Sequence, residues 1–448
     1  MGSITNSRFR RTQSGQALVL ALLLVVGGAF LLLAVFSSGR VLTTRQSLND
    51  AADAAALSAA TWRARVLNYA AYTNRAMVAQ EVALAQAVTM AAWARYFDAL
   101  AANAQSVAAA YPPAALAVAA IASGADLARA ATEHAASAEM AWRGHEQLGY
   151  KVWLERSQIA LLKSAEVFGL GAIANEVVRS GDSRFFAFAL GDAGAFAAFT
   201  RPPVDTEDKA RLRQVVLESL DPFTANPRSA DHRLPLPSSC AGRSADLDKW
   251  TLWLRRRGGT ALHESLETWS AVDTLSLHDW RAGGFLGLGA CRDREAVAVG
   301  WGGAGVNPAW NDSQLQSAHT NPGATALALF GASGDTTSLA GLPTVHDLGA
   351  QIRLGNAPAV SQLAVMARVE VRDIGTADKL AVTSGRMRLS DGAHGRYLWA
   401  LSAAEVYFSP PPEASTPAQL PSLFSPFWQA RLISPTEAHR AAAATYAR

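Results

Sequence analysis

Charged residues are scarce in this chain, and lysine is the scarcest of the basic ones. Only 17% of the 448 residues are charged, against about a quarter in a typical soluble domain. The 40 basic and 37 acidic residues nearly cancel, which leaves a formal net charge of +3, and only five of the basic residues are lysine. A nucleic-acid-binding protein concentrates basic residues on one face. The charge balance therefore argues against a nucleic-acid partner.

The chain also lacks the usual signatures of catalysis and metal binding. No lysine follows a glycine as in a phosphate-binding loop, and neither a GxSxG elbow nor a CxxC pair occurs. His263-Glu264-Ser-Leu-Glu267 begins like a zinc-protease helix but has glutamate where the second histidine must stand. A triad assembled from distant residues remains an alternative. We expect no catalytic residue, no cofactor and no metal site.

One glycine-rich run resembles a dinucleotide-binding loop only superficially. Gly300, Gly302 and Gly305 have the GxGxxG spacing, but such a site needs a helix to begin there, facing the pyrophosphate. Pro308 and Trp310 follow instead, and no acidic residue lies about twenty positions further on. We expect a plain glycine-rich turn.

What the chain has is one long apolar run near its N-terminus. Residues 17–36 are twenty consecutive uncharged residues, and a helix of this length spans about 30 Å, the hydrocarbon thickness of a bilayer. A cleaved signal peptide is the alternative. Its apolar region is usually shorter, and Ala34-Val35-Phe36 places a bulky residue where cleavage needs a small one. These features favour a retained membrane anchor.

The charges beside this run predict its orientation. Arg8, Arg10 and Arg11 precede it without any acidic residue, whereas Arg40 and Arg45 after it are soon followed by acidic residues. The positive-inside rule then keeps the N-terminus in the cytoplasm. We expect a single-pass protein of the bacterial inner membrane, in contact with its lipid, with a periplasmic or extracellular body.

Residues 10–60 carry four features in a fixed order. They are a basic pair (Arg10-Arg11), the start Gly15-Gln16-Ala17, the apolar run, and the string Asn49-Asp-Ala-Ala-Asp-Ala-Ala-Ala-Leu57. Together they resemble the N-terminal segment of the Flp pilus-assembly TadE/TadG-like family. A fainter likeness to large pilus-assembly proteins extends through residues 72–86 and 423–432. The resemblance implies an envelope protein of the tight-adherence machinery, with pilin-like or other pilus-assembly partners.

Two departures from related patterns matter. Type IV-like prepilins are cut after a glycine and usually carry glutamate at the fifth mature position. A cut between Gly15 and Gln16, the candidate processing site, would put Leu20 there, which argues against processing and against incorporation into a pilus shaft. Larger family members can carry a metal-dependent adhesion domain whose site begins Asp-x-Ser-x-Ser, and this sequence contains no such string.

The composition predicts an α+β protein: a single N-terminal transmembrane helix continues into an Ala-rich helical stalk and bundle, followed by a β-rich C-terminal domain. Strand-like alternation appears at residues 249–254, 296–301, 363–371 and 396–401. The predicted segments are a cytoplasmic leader (1–16), the transmembrane helix (17–36), the stalk and bundle (37–200), an extracytoplasmic β-rich domain (205–409), and a Pro-rich linker with a terminal helix (410–448).

Within the helical part, bulky residues recur at helical spacing. Trp62, Val66 and Tyr69 form one stripe, and Trp93, Phe97 and Leu100 form another. We expect them to pack within the chain, with an intermolecular pilin-like seam as the alternative. An unbroken helix would be about 140 Å long, so we expect a break near Ser37-Ser38-Gly39 or beyond it. Further helices are expected at 114–146 and 147–179.

Two polar features of the β-rich part complete the expectations. Arg255-Arg256-Arg257 is expected at a solvated strand end, with anionic lipid or a pilus partner as alternative contacts. Cys240 and Cys291, the two cysteines of the chain, are expected to form one disulfide, because bridges persist outside the cytoplasm. Two unrelated buried thiols are the alternative.

The sequence thus predicts a non-enzymatic, membrane-anchored structural or assembly component of a Flp (Tad-type) pilus or tight-adherence secretion system. It would act by helix packing with pilin-like partners. The alternative is a periplasmic enzyme or sensor domain that uses the same helix only as a tether.

Overall fold

The structure is a computed structural model. It describes residues 14–110, 123–124, 149–191, 195–201, 206–264, 266, 268–283, 289–306, 315, 320–332, 345–349, 352, 360–375, 397–411 and 419–446. Most of the predicted helix at 114–146 therefore lies outside the described residues.

The helices and strands are numbered in chain order. The helices are α1 (Ser14–Ala110), α2 (149–164), α3 (Val167–Gly181), α4 (Ala195–Phe199), α5 (Thr206–Glu218), α6 (Pro222–Ala225), α7 (Pro322–Ala332) and α8 (Glu437–Tyr446). The strands are β1 (Phe186–Leu190), β2 (Thr200–Arg201), β3 (Ala230–Pro237), β4 (Thr251–Leu262), β5 (Trp269–Ala282), β6 (Cys291–Val306), β7 (Asp347–Leu348), β8 (Val360–Glu370), β9 (Tyr397–Phe408) and β10 (Trp428–Ile433).

Helix α1 is continuous over 97 residues, which makes it about 145 Å long. The expected break near Ser37-Ser38-Gly39 is wrong. Ser38 Oγ donates to the carbonyl oxygen of Ala34 at 2.8 Å, and Thr43 Oγ1 donates to that of Gly39 at 2.8 Å. These side chains bond back into the helix instead of capping or ending it, so the polar stretch continues the apolar one without a turn.

Helix α2 runs back along α1, and α3 packs against the same helix. Trp62 Nε1 donates to Ser164 Oγ at 3.1 Å, and the hydroxyls of Tyr69 and Ser157 are 2.7 Å apart. As numbers rise on α1 they fall on α2, so the two helices are antiparallel. The single helix expected at 147–179 is wrong, because a turn at residues 165–166 divides it into α2 and α3.

The strands form two four-stranded antiparallel sheets. Sheet I has the order β1-β8-β9-β10, and sheet II is the meander β3-β4-β5-β6. A separate two-stranded pair, β2 with β7, contributes Leu348 to the core cluster that includes sheet I. Sheet I joins chain segments more than 170 residues apart, since Phe186 pairs with Arg368.

Helix α1 is the common support of both sheets. Its residues from Leu48 to Ala70 pack against sheet I and α3, and its residues from Met77 to Leu100 pack against sheet II. The opposite face of sheet I is covered in part by α8, and that of sheet II by α7. The core is thus built along α1. Both at residues 48–70 and at residues 77–100, a sheet packs against α1 and a short Ala-rich helix packs against the outer face of that sheet.

The predicted α+β class is confirmed, and the four strand-like runs correspond to β4, β6, β8 and β9. Two strands of sheet I and the short strand β2 lie outside the segment predicted to be β-rich. Strand β1 falls within 37–200 and β10 within 410–448, because both are recruited to sheet I by pairing with distant residues. The terminal helix is present as α8. The domain boundaries themselves remain predictions.

Candidate functional site

The candidate site is the first part of α1, where an apolar surface has no protein against it. From Leu18 to Leu32 every side chain is exposed, including Leu18 at 74%, Val25 at 70% and Leu32 at 69%. Among the described residues, α1 is the one helix long and apolar enough to cross a membrane. A continuous apolar surface of this size needs a partner or a membrane to cover it, and its length of about 30 Å matches the hydrocarbon core.

Packing against the rest of the protein begins just after this segment. Thr44 and Leu48 are the first buried residues of α1, and Ala52, Ala55 and Ala56 follow on the same face. Alanine lets neighbouring backbones approach closely, so sheet I and α3 lie directly against the helix. The Asn49–Leu57 string therefore has an inner face of small residues, and Asp50 and Asp53 are exposed on its outer face.

The bulky stripes further along α1 pack within the chain. Val66 is buried in the cluster that includes sheet I, with Trp62 half-buried against it. Leu100 is buried beside β5 and β6, with Trp93 and Phe97 half-buried at the same cluster. This is the intramolecular packing expected from the sequence.

Polar side chains of α1 fix its position against the C-terminal segment. Asn68 exchanges two hydrogen bonds with the backbone of Trp428, at 3.0 and 2.9 Å. Asn74 Nδ2 donates to the carbonyl oxygen of Leu423 at 2.8 Å, and Arg75 Nε donates to that of Phe424 at 2.5 Å. The structure thus brings together residues 72–86 and 423–432, which both resembled pilus-assembly proteins, although no sequence signal indicated that they touch.

A buried ion pair ties α1, α2 and sheet II together. Lys151 Nζ contacts Glu81 Oε1, and Trp269 Nε1 donates to Glu81 Oε2 at 3.0 Å. All three side chains are buried. Burial disfavours the charged form and lowers the pKa of Lys151 to about 7. The group is structural, because its atoms bridge three elements; sequence reasoning missed it, since the partners are 70 and 188 residues apart.

The glycine-rich run lies inside β6 and is not the turn that was expected. A Cβ at Gly302 would approach the carbonyl oxygen of Ala92 on α1 to 2.1 Å, and one at Gly303 would approach that of Ala328 on α7 to 2.6 Å. The absence of side chains therefore allows β6 to lie between two helices. This requirement comes from long-range packing, which a local GxGxxG pattern does not show.

The three consecutive arginines lie inside β4 and do not form a solvated strand end. Arg255 pairs with Asp231 and Asp293 at 3.0 and 2.9 Å, and Arg257 pairs with Asp231 at 2.7 Å. The guanidinium of Arg256 lies 5.4 Å from the ring centre of Tyr96 and 3.8 Å from Asp273. Their charges are matched within sheet II and its contact with α1.

Cys240 and Cys291 are brought together by sheet II. Their Cα atoms are 6.3 Å apart and their sulfurs are bonded, across a sequence separation of 51 residues. Cys291 begins β6, and Cys240 is fully buried in the turn that follows β3. Ser239 beside it donates its N–H and its hydroxyl to Asp279, at 2.8 and 2.5 Å. The pairing in the cell remains a prediction.

The remaining candidate residues lie at two places, the start of α1 and the end of β4. Gly15 and Gln16 are in its first turn, directly before the exposed apolar surface. His263 and Glu264 lie just after β4. Within the described part of the chain, no group of three or more His, Cys, Asp or Glu side chains could hold a metal ion.

Comparison with known proteins gives one match. Residues 15–63 match the Tad family model, which is described as Flp pilus-assembly TadE/G-like. No curated protein and no solved structure matches the chain. The matched residues include the exposed apolar surface of α1 and the first part of its Ala-rich face, which packs against sheet I and α3. The exposed apolar part of α1 indicates a membrane-anchored protein, and the family that residues 15–63 resemble is described by its part in Flp pilus assembly.

Proposed function

We propose that this protein is a non-enzymatic assembly component of a Flp (Tad-type) pilus or tight-adherence system, anchored by residues 17–36. It packs through the outer parts of α1 against pilin-like or other pilus-assembly proteins. The observation that carries the proposal is the coincidence of the family match at residues 15–63 with the exposed part of α1.

Two surfaces of α1 are available for such packing. In the anchor, Gly27 and Gly28 have no atom within 4 Å of where a Cβ would lie, so a second helix can approach the backbone closely. Beyond the anchor, Asp50 and Asp53 with Leu57, which is 38% exposed, form an outward face. The opposite face is occupied by sheet I and α3, which limits partners to this side.

The proposed location is the inner membrane, with residues 1–16 in the cytoplasm and the body outside. Arg40 and Arg45 follow the anchor on an exposed stretch of α1, and the leader carries three arginines and no acidic residue. A reporter fused after residue 60 should be active only if it is exported. Activity of that fusion in the cytoplasm contradicts the orientation.

Exchange of the anchor separates this function from the alternative of a tethered enzyme or sensor. Residues 17–36 are replaced by an unrelated transmembrane helix of the same length, and piliation and co-purification with Flp pilus components are measured. A packing role predicts loss of both while the protein stays in the membrane fraction. Retention of both shows that residues 17–36 act only as a tether.

A single substitution sharpens this test. Gly28→Leu adds bulk at the open backbone without adding charge, so it should weaken co-purification with pilus components by at least severalfold. Ala34→Leu, which is also exposed but lies about 120° away around the helix, is the matched control. Equal effects of the two substitutions rule out close packing at Gly28.

Processing at Gly15-Gln16 is not part of the proposed function. The mature protein should begin before Gly15, as measured by mass spectrometry of the intact protein from isolated membranes. A mature N-terminus at Gln16 would instead assign it to prepilin-like substrates.

A further inference from the structure

Arg63 is a buried cation to which no described residue supplies an acidic partner. Its side chain lies in the core between α1, the end of α2 and sheet I, and the residue is 3% exposed. Among the described residues, no carboxylate forms an ion pair with it. Burial lowers its pKa to about 10. A buried charge of this kind is costly unless it is paired.

The hydrogen bonds of Arg63 use only part of its capacity. Nε and one terminal nitrogen donate to the carbonyl oxygen of Ala165 at 3.1 and 3.0 Å, and the other donates to Ser361 Oγ at 2.9 Å. A guanidinium has five N–H groups, so two remain after these three bonds. The ring of Phe196 lies 4.4 Å from the guanidinium carbon and covers one face.

A cavity of about 150 Å³ opens beside this group, and we call it the Arg63 cavity. Arg63, Ser361 and Phe196 all line it, so the guanidinium borders the space directly. The other walls are mainly apolar, and they include Leu170, Leu190, Phe199 and Leu363. None of the described lining residues is acidic.

The N-terminus of α3 also meets this space. Val167, the first residue of α3, lines the cavity. The preceding Glu166 makes no side-chain capping bond. The first turn of a helix presents N–H groups that lack intrahelical acceptors, together with the positive end of the helix dipole. The start of α3 therefore borders the same small apolar space as the guanidinium of Arg63.

We propose that the Arg63 cavity binds a carboxylate that carries one small apolar group, the chemistry of the C-terminal residue of a polypeptide. The carboxylate accepts from the free N–H groups of Arg63, and the apolar group contacts the leucine and phenylalanine walls. An apolar cavity of this size holds a benzene-sized group, so one side chain fits and a longer segment does not. A free short-chain carboxylic acid has the same chemistry.

The test uses the full-length protein in detergent and two matched probes. N-acetyl-leucine should bind at least tenfold more tightly than N-acetyl-leucinamide by isothermal titration, because the amide lacks the charge. 4-Methylpentanoate distinguishes the source of the carboxylate. Equal affinity for it assigns the cavity to free carboxylic acids, and weaker affinity supports a polypeptide terminus. Equal binding of acid and amide, or no binding of either, overturns the proposal and leaves Arg63 as a cap of α2.

A second test fills the Arg63 cavity without changing Arg63, so that a loss of binding can be separated from a loss of folding. Ala195→Phe on α4 adds a ring at the cavity while leaving the hydrogen bonds of Arg63 intact, and it should lower the affinity for N-acetyl-leucine at least tenfold. Ala197→Phe, exposed on the same helix and outside the cavity lining, is the control and should bind normally. If both variants keep the parent Tm and the parent affinity, the cavity is not the site.

Discussion

Two stretches of α1 reverse the usual relation between side-chain size and burial. In residues 17–36 the side chains are mostly large and apolar, and nearly all are exposed. In residues 48–92 half of the buried positions are alanine, and the buried face contacts two sheets. If the whole helix were in water, this arrangement would be unfavourable, because large apolar side chains gain the most free energy from being removed from water. One helix therefore carries two kinds of surface, an exposed apolar one at its beginning and one packed against protein further along.

The difference also separates what each stretch contributes. If the proposed anchoring is correct, the first stretch determines where the protein resides, and the second determines whether the body folds. Substitutions should affect one property without the other, and four tests follow in order of expected effect.

Loss of the buried ion pair should affect only the body. Lys151→Met leaves Glu81 buried without its cation and should lower the free energy of unfolding by about 3–5 kcal/mol. Chemical denaturation of the protein in detergent measures this, and membrane retention should not change. Adding Glu81→Gln, which still accepts from Trp269, should recover much of the loss. A cost below about 1 kcal/mol for the single variant would show that the contact is unimportant.

Loss of the disulfide between Cys240 and Cys291 should destabilise sheet II and leave sheet I unaffected. Cys291→Ser should cost about 2–5 kcal/mol and expose residues 238–250 to limited proteolysis. Sheet I and its contact with residues 48–70 of α1 should stay protected. Cys240→Ser is the reciprocal variant, and the double variant should match either single one. Recovery of two free thiols from freshly isolated, unreduced membranes refutes the bridge.

A charge in the first stretch should act on location alone. Arginine at the centre of a membrane helix costs about 2.5–3.5 kcal/mol, so Leu24→Arg should shift part of the protein out of the carbonate-resistant membrane fraction. Leu42→Arg is the control, because Leu42 is also exposed, at 66%, but lies beyond the anchor. Equal retention of both variants contradicts a bilayer-spanning role for residues 17–36.

The test with the smallest expected effect replaces one alanine by leucine in each of the two stretches. Ala59→Leu adds bulk at a fully buried position and should cost about 1–3 kcal/mol by overpacking. Ala29→Leu adds it to the exposed anchor and should leave both stability and retention unchanged. A similar loss of Tm in both variants would mean that the anchor is packed against protein in the isolated chain.

Features with a strong local pattern were predictable from the sequence. The anchor follows from twenty uncharged residues in a row, and β4, β6, β8 and β9 follow from alternation. The aromatic stripes at Trp62 and Trp93 were predicted to pack internally because helical spacing puts them on one face. Each of these depends on residues that are close in sequence.

Features that depend on distant partners were not predictable. Strand β1 was missed because the short Phe-Ala-Phe-Ala-Leu segment becomes a strand only beside β8. Arg63 and Arg65 look alike in sequence, yet one is buried and the other exposed. A run of alanines marks the inner face too weakly to distinguish positions two residues apart. The Arg63 cavity and the Glu81–Lys151 pair require the folded arrangement.

Because α1 is one continuous helix, a movement at its apolar end can be transmitted to the two sheets that pack along it. About 110 Å of unbroken helix extends from residue 37 to residue 110, and both sheets are fastened to it. A change of tilt of about 10° in the bilayer, well within the range of membrane helices, would swing the far end by about 20 Å if α1 moves as a rod. Small rearrangements among helices in the membrane would then appear outside it as large displacements of sheet II.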